Sequence, residues 1–242
     1  MIKESYTENF YSYNSKYINN VLALRPPQHE SLEIFARLCD TLSLAKNPTT
    51  TEQIHSKHQA ELETLDTEDK RTKKISEWAS EVAAEFYADD LAAVRTLCPT
   101  SFERDFPSFC FALATGIGKT RLMGACIAYL RYEKGIKNFF VMAPNLTIYR
   151  KLKDDLGNPS SPKYVFRGLD KFVSPPRIID GDNYNDFRQG AFGVNDVVIN
   201  VFNIAKLNSD SKVSSGSPAR IKRLNEVLGE SYFAYLQSLD DL

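Results

Sequence analysis

The sequence predicts an α/β chain with a mostly parallel sheet, preceded by a mainly helical N-terminal region, and three observations carry that prediction. After Phe106, short runs of β-branched and aromatic residues alternate with segments of helical periodicity, the texture of a parallel sheet with helical crossovers. Before that point, apolar residues recur three and four apart, the period of amphipathic helices. Between the two textures stands "ATGIGKT", Ala114 to Thr120, a glycine-containing loop with an apolar run on either side. The 242 residues, 43% hydrophobic and 25% charged, are enough for one large domain or two small ones with a real core. A net charge of -1 supplies no global field for nucleic acid, so any such contact depends on local placement of Lys and Arg.

Taken in order, the Tyr- and Asn-rich opening reads as a tail, Arg25-Pro26-Pro27 as a turn, and Leu32, Phe35, Leu38 and Leu42 as one face of a helix. Residues from about 47 to 74 are polar and read as a surface helical excursion, with the threonines of "NPTTTEQ" able to cap its start. His55 and His58 share that excursion with no third ligand nearby, which favours a solvated helix face over a metal site. Ile75, Trp78, Ala79, Val82, Ala83, Phe86 and Tyr87 then form a single stripe, with Pro99 beyond the last turn. Trp78 and Tyr87 lie on it and are expected to pack in a core, not to stack on bases.

The expected strands are "FCFAL", "NFFVMAP", "KYVFRG", "RIID" and "DVVINVF". Helices are expected over "TRLMGACIAYLRYEKG", stopped by Gly135, over "TIYRKLKDDLG", stopped by Gly157, and after Ser217 and Pro218 as N-cap and first residue. "SDSKVSSGS" alone has low complexity. Cys39, Cys98, Cys110 and Cys126 lack CxxC spacing, and no secretory leader or long apolar segment is visible; a reducing, cytoplasmic setting is expected.

The chemistry points to the loop. A strand, a turn of glycines and a helix starting at about Lys119 form the context of a phosphate cradle. Gly116 and Gly118 allow the backbone to turn successive N–H groups inward, and the helix N-terminus adds its positive end. In that geometry Lys119 reaches the terminal phosphates and the Thr120 hydroxyl ligates the accompanying Mg²⁺. Ile117 and Arg121 complete the loop and the first helical turn, and read as bystanders to the phosphates. Leu113 occupies the position of the first Gly in GxxxxGK[ST], a departure from the general pattern.

An apolar residue followed by "ATGxGKT" is similar to motif I of superfamily 2 helicases, where Thr115 is also expected. "LRPPQHESL", Leu24 to Leu32, resembles the helicase segment whose glutamine contacts adenine; the match assigns that contact to Gln28, with Arg25 nearby, and a carboxamide has the donor and acceptor for it. From about Phe102 onward the chain resembles the type III restriction enzyme Res subunit and related DEAD/DEAH-type helicases. The resemblance extends through "PPRIIDGDNYND", "VVINVFNIAKLNSD" and "RIKRLNEVLGESYFAYLQSLDDL". It makes "APN" motif Ia and "NVFNIAK" motif Ib, so that Pro144, Asn145, Thr147 and Asn203 are expected on the sugar-phosphate backbone of DNA, where short polar side chains grip without reading sequence.

The resemblance implies a truncated RecA-like P-loop domain: an adenine-reading segment over 1–46, a helical insert over 47–101, and the first half of a motor domain over 102–242. The acidic box expected after "SLDDL" is not found, and Asp180 in "RIIDGD" is a poor substitute, having no adjacent Glu. Apolar strands that lose neighbours supplied by later sequence are expected to expose unpaired edges. The implied function is the ATP-binding front of a DNA helicase or translocase subunit, using ATP and Mg²⁺. Its implied partners are duplex DNA, the missing motor and nuclease regions, and a modification (methyltransferase) subunit; no membrane is involved. The alternatives are a non-hydrolysing nucleotide- or DNA-binding fragment completed by a partner chain, and a small-molecule P-loop kinase.

Overall fold

The computed structural model describes residues 12–42, 50–67, 70–71, 74–75, 77–78, 81, 84–85, 87–97, 108–180, 197–204, 235–236 and 239. The chain divides into two compact units, Met1–Glu33 with Leu113–Leu242, and Ile34–Ala112.

The first unit is built on a parallel sheet of order β1-β3-β2, with β1 Asn138–Ala143, β2 Arg177–Ile179 and β3 Val198–Asn203. Every residue of the central strand is buried, as the near-continuous apolar run "VINVFN" requires of a strand covered on both faces. Its one mid-strand polar side chain, Asn200, donates to the Phe139 carbonyl at 3.4 Å. The register pairs Asn138 with Val198 and Ala143 with Asn203, while Arg177 to Ile179 lie beside Val198 to Asn200. On one face Ile179, Val198 and Phe202 form a cluster with Tyr235 and Leu236, against which Phe140 and Leu239 pack.

Helix α6, Leu146–Gly157, covers the other face, burying Tyr149, Leu152, Asp155 and Leu156 at helical spacing. Gly157 is its last residue and not a left-handed stop. A Cβ there would fall on Ile178 Cγ1, so this glycine permits close approach of helix to sheet. Helix α5, Lys119–Glu133, ends at the expected place: Gly135 takes φ +72, and the Lys134 and Ile136 amides both donate to the Leu130 carbonyl.

Two expected strands are corrected. "FCFAL" is not a strand: residues 109–113 carry no ladder, and the rings of Phe109 and Phe111 sit edge-on to Phe35, at 6.4 and 6.0 Å between centroids. Among the described residues no strand pairs with this run, and its aromatic side chains are used on a helix instead. "KYVFRG" is a series of turns with Tyr164, Val165 and Phe166 buried. Its backbone is claimed by the Val165 amide bonding to the Asp155 carbonyl at 3.0 Å, and Phe166 stacks on Phe172 at 4.3 Å.

Residues 13–22 of the N-terminal stretch read as a tail form a helix. Helix α1, Tyr13–Leu22, is capped by Ser12, whose Oγ accepts from the Ser15 amide, and packs its Ile18 and Leu22 side toward α5. Tyr17 and Tyr132 both donate to the Asp170 carboxylate in the short 3-10 turn Asp170–Phe172, tying α1, α5 and the turn together. The Tyr132 bond holds the Asp170 carboxyl below its ordinary range, while burial and then Asp170 itself push the Tyr132 phenol up.

Helix α2, Pro26–Thr41, begins in the first unit and runs into the second. There Phe35, Leu38 and Leu42 are buried, as their spacing predicted, and Cys39 is buried with them. Helices α3, Thr50–Thr64, and α4, Ala88–Leu97, belong to the same unit. Trp78 is buried with Leu62, beside Leu65 and Ile75, and stacks face to face on His58 at 4.2 Å, which supports its reading as a core residue. Within the polar excursion Thr50–Thr64 is helical, kinked at His58. Its capping threonines, His55, Pro99, Ser217 and Pro218 lie outside the residues whose side chains are described.

Replacing Gly157 with alanine forces the methyl into Ile178 and should lower stability by about 1–3 kcal/mol, the usual range for overpacking. Urea unfolding followed by far-UV circular dichroism measures this, and an unchanged midpoint refutes the close-approach account.

Candidate nucleotide-binding loop

An α-helix begins with amide N–H groups that have no acceptor inside the helix, and proteins satisfy them with caps. Both α1 and α6 follow this rule: Ser12 accepts from Ser15, and the Asn145 Oδ1 accepts from the Ile148 amide at 2.9 Å. Helix α5 does not. Its N-cap is Gly118, with no side-chain hydrogen bond, and Gly118 and Gly116 have φ of +94 and +82, conformations suited to glycine. The result is a bare helix N-terminus behind a loop with no Cβ at two of its positions. Thr115 and Lys119 are exposed, Ile117 and Thr120 half-buried, and Arg121 is exposed at the first turn.

The loop is fastened to the segment between α1 and α2. Pro26 and Pro27 open α2, and Gln28, at the third helical position, turns its Oε1 back to accept the Arg25 amide at 2.8 Å, half of a capping box. The other end of the same carboxamide donates from Nε2 to the Gly118 carbonyl at 2.8 Å. Arg25 Nη1 donates to the Gly116 carbonyl at 3.1 Å, and Arg121 Nη1 reaches back to the Leu22 carbonyl at the end of α1, at 3.0 Å. Gln28 is therefore 1% exposed and its amide faces the protein. Sequence brought Arg25, Gln28 and the loop into one proposed site, and the structure brings them into direct contact. It also draws in Arg121, read as a bystander; nothing in the spacing of the sequence signals its bond to Leu22.

The residues expected on DNA gather at the carboxyl end of the sheet. Pro144, Asn145 and Thr147 are exposed where β1 gives way to α6, and Asn203 stands directly across from Ala143 in the register. Asn145 spends its oxygen capping α6, and Asn203 is only 5% exposed. Asp180, at the end of β2, is buried and accepts from the Tyr149 hydroxyl at 2.8 Å and Lys153 Nζ at 2.5 Å, so this acid ties β2 to α6. Among the described residues no group of three or more His, Cys, Asp or Glu is placed to hold a metal, and no helix is long and apolar enough to cross a membrane.

A parallel sheet flanked by helices, with a glycine loop running into an uncapped helix that opens Lys-Thr, is the architecture of the RecA-like P-loop class. The model of the family "Type III restriction enzyme, res subunit" matches residues 22–235, and the chain belongs to that family, whose domain is an ATP-dependent, helicase-like part of restriction systems. No curated protein and no solved structure matches the chain.

Capping and cradle separate by mutation. Asn145→Ala should cost about 1 kcal/mol of stability, the usual loss for a helix cap. Lys119→Ala, an exposed change, should leave the thermal midpoint within experimental error. Equal losses from the two would contradict the assignment of Asn145 as a cap and Lys119 as a surface group.

Proposed function

We propose that residues 115–121 bind ATP with Mg²⁺ and that the chain is the ATP-binding part of a motor that moves on duplex DNA within a restriction system. The observation that carries the reading is the uncapped N-terminus of α5 behind two left-handed glycines, in a family that is ATP-dependent. The residues suit the ligand. A built Cβ at Gly116 meets nothing within 4 Å, the first amides of α5 lack a side-chain acceptor, and Lys119 is exposed beside them.

In this reading the amides of the loop and the Lys119 ammonium hold the phosphate oxygens, and Thr120 holds the metal. Bound Mg²⁺ supplies charge neutralisation and orientation of the phosphates. Gln28 reads the adenine, with Arg25 beside it at the nucleotide. After its two internal bonds the Gln28 carboxamide retains one N–H and one lone pair, the set adenine asks for, and its burial means that it must be uncovered for the base to reach it. Pro144, Asn145, Thr147 and Asn203 face the DNA backbone. The exposed three, with the Asn145 amide nitrogen donating, make the direct contacts, and a modification subunit is the expected partner.

Titration of the chain with Mg²⁺ and ATP by calorimetry tests the nucleotide site. Lys119→Ala should weaken binding on the order of 10- to 100-fold, the loss of a charge-assisted hydrogen bond. ATP should bind better than GTP, and Gln28→Ala should narrow that difference; unchanged ATP affinity in folded Lys119→Ala overturns the site. Duplex DNA should tighten ATP binding, and no such coupling argues against the DNA-facing role.

A further inference from the structure

The Gly116 carbonyl carries an inference that rests on the phosphate-binding reading but assigns a different task to one of its residues. A trans peptide is planar, with its C=O and the next N–H on opposite sides. The described residues contain no cis bond. Because Arg25 Nη1 holds the Gly116 oxygen, the Ile117 N–H is turned away from the segment of residues 25–28. The space beside Gly116 is open: it has φ +82, and a Cβ built there would touch nothing within 4 Å. A glycine peptide in open space samples many orientations, and an outside donor selects one.

The next glycine differs. The Gly118 oxygen already accepts from the Arg121 and Leu122 amides, at 3.0 and 3.2 Å, so the helix itself fixes the Gly118–Lys119 peptide. Gln28 adds a third donor to an oxygen that is already held. Arg25 supplies an orientation that the loop lacks, whereas Gln28 repeats one that it has. Arg121, bonded to the Leu22 carbonyl three residues before Arg25, keeps the segment in reach.

We propose that Arg25, supported by Arg121, is a positioning residue that sets the Ile117 amide for polyphosphate by anchoring the Gly116 carbonyl, and that it does so whether or not an adenine is present. This separates it from a residue that only reads the base.

The discriminating ligand is inorganic tripolyphosphate, which has no base, measured with Mg²⁺ by calorimetry on the 242-residue chain beside ATP. Arg25→Ala should weaken tripolyphosphate and ATP by the same factor, on the order of 10-fold, and Arg25→Lys, which keeps a donor, should recover part of the loss. Gln28→Ala should weaken ATP more than tripolyphosphate. Loss of ATP affinity with tripolyphosphate unchanged in Arg25→Ala overturns the proposal, as does a chain that binds ATP but not tripolyphosphate. If Arg25→Ala fails to fold by circular dichroism, Arg121→Ala decides: weakened tripolyphosphate supports the proposal, and unchanged tripolyphosphate overturns it. Lys119→Ala monitors the reading beneath: tripolyphosphate binding that survives it shows that the phosphates sit elsewhere, a result distinct from any Arg25 outcome.

Discussion

A helix that starts without a cap leaves amide donors in search of an acceptor, and the rest of the loop's surroundings follow from that unmet demand at Lys119. In α1 and α6 the chain closes the same demand with Ser12 and Asn145. At α5 it places glycines, which have no side chain to offer, and then turns the loop's carbonyl oxygens toward outside donors. Oxygens engaged on one side leave N–H groups on the other. The segment around Pro26 serves this arrangement because its own helix start is self-contained: Gln28 caps Arg25 with its oxygen and has its nitrogen left for Gly118.

How much of this was legible follows from what each signal specifies. The alternation after Phe106 located β1, β2, β3, α5 and α6, because a buried parallel strand needs an apolar run and an amphipathic helix needs its period. The same logic failed at "FCFAL" and "KYVFRG". Apolar, β-prone composition says that a run will be buried and does not say that a neighbouring strand exists to pair with it. Helix α1 was missed because its buried face is small, Ser15, Ile18 and Leu22, among tyrosines and asparagines. Gly157 was legible as special, though for the wrong reason: the pattern of a stop and the pattern of a close contact are the same letter.

The candidate site divides similarly. The loop was written in local sequence, since its glycines, Lys119 and Thr120 are contiguous. Its union with Arg25 and Gln28 spans about ninety residues and came only from resemblance to a family, while the Arg121 bond to Leu22 spans 99 and had no signal at all. At the carboxyl end of the sheet, polar letters carry structural duties that sequence does not separate from ligand contact. Asn145 caps a helix, Asn203 is enclosed at a strand end, and Asp180 is shared by Tyr149 and Lys153.

Trp78 has a practical consequence. It is the single tryptophan of the chain, and its described neighbours, His58, Leu62, Leu65, Lys74 and Ile75, all belong to the unit Ile34–Ala112. Indole emission during denaturation therefore follows the surroundings made by these described neighbours, whereas backbone ellipticity sums the helices of both units. Were the two curves to separate, the chain would lose its structure in stages, and an apparent two-state fit to fluorescence would describe a part that contains none of the glycine loop.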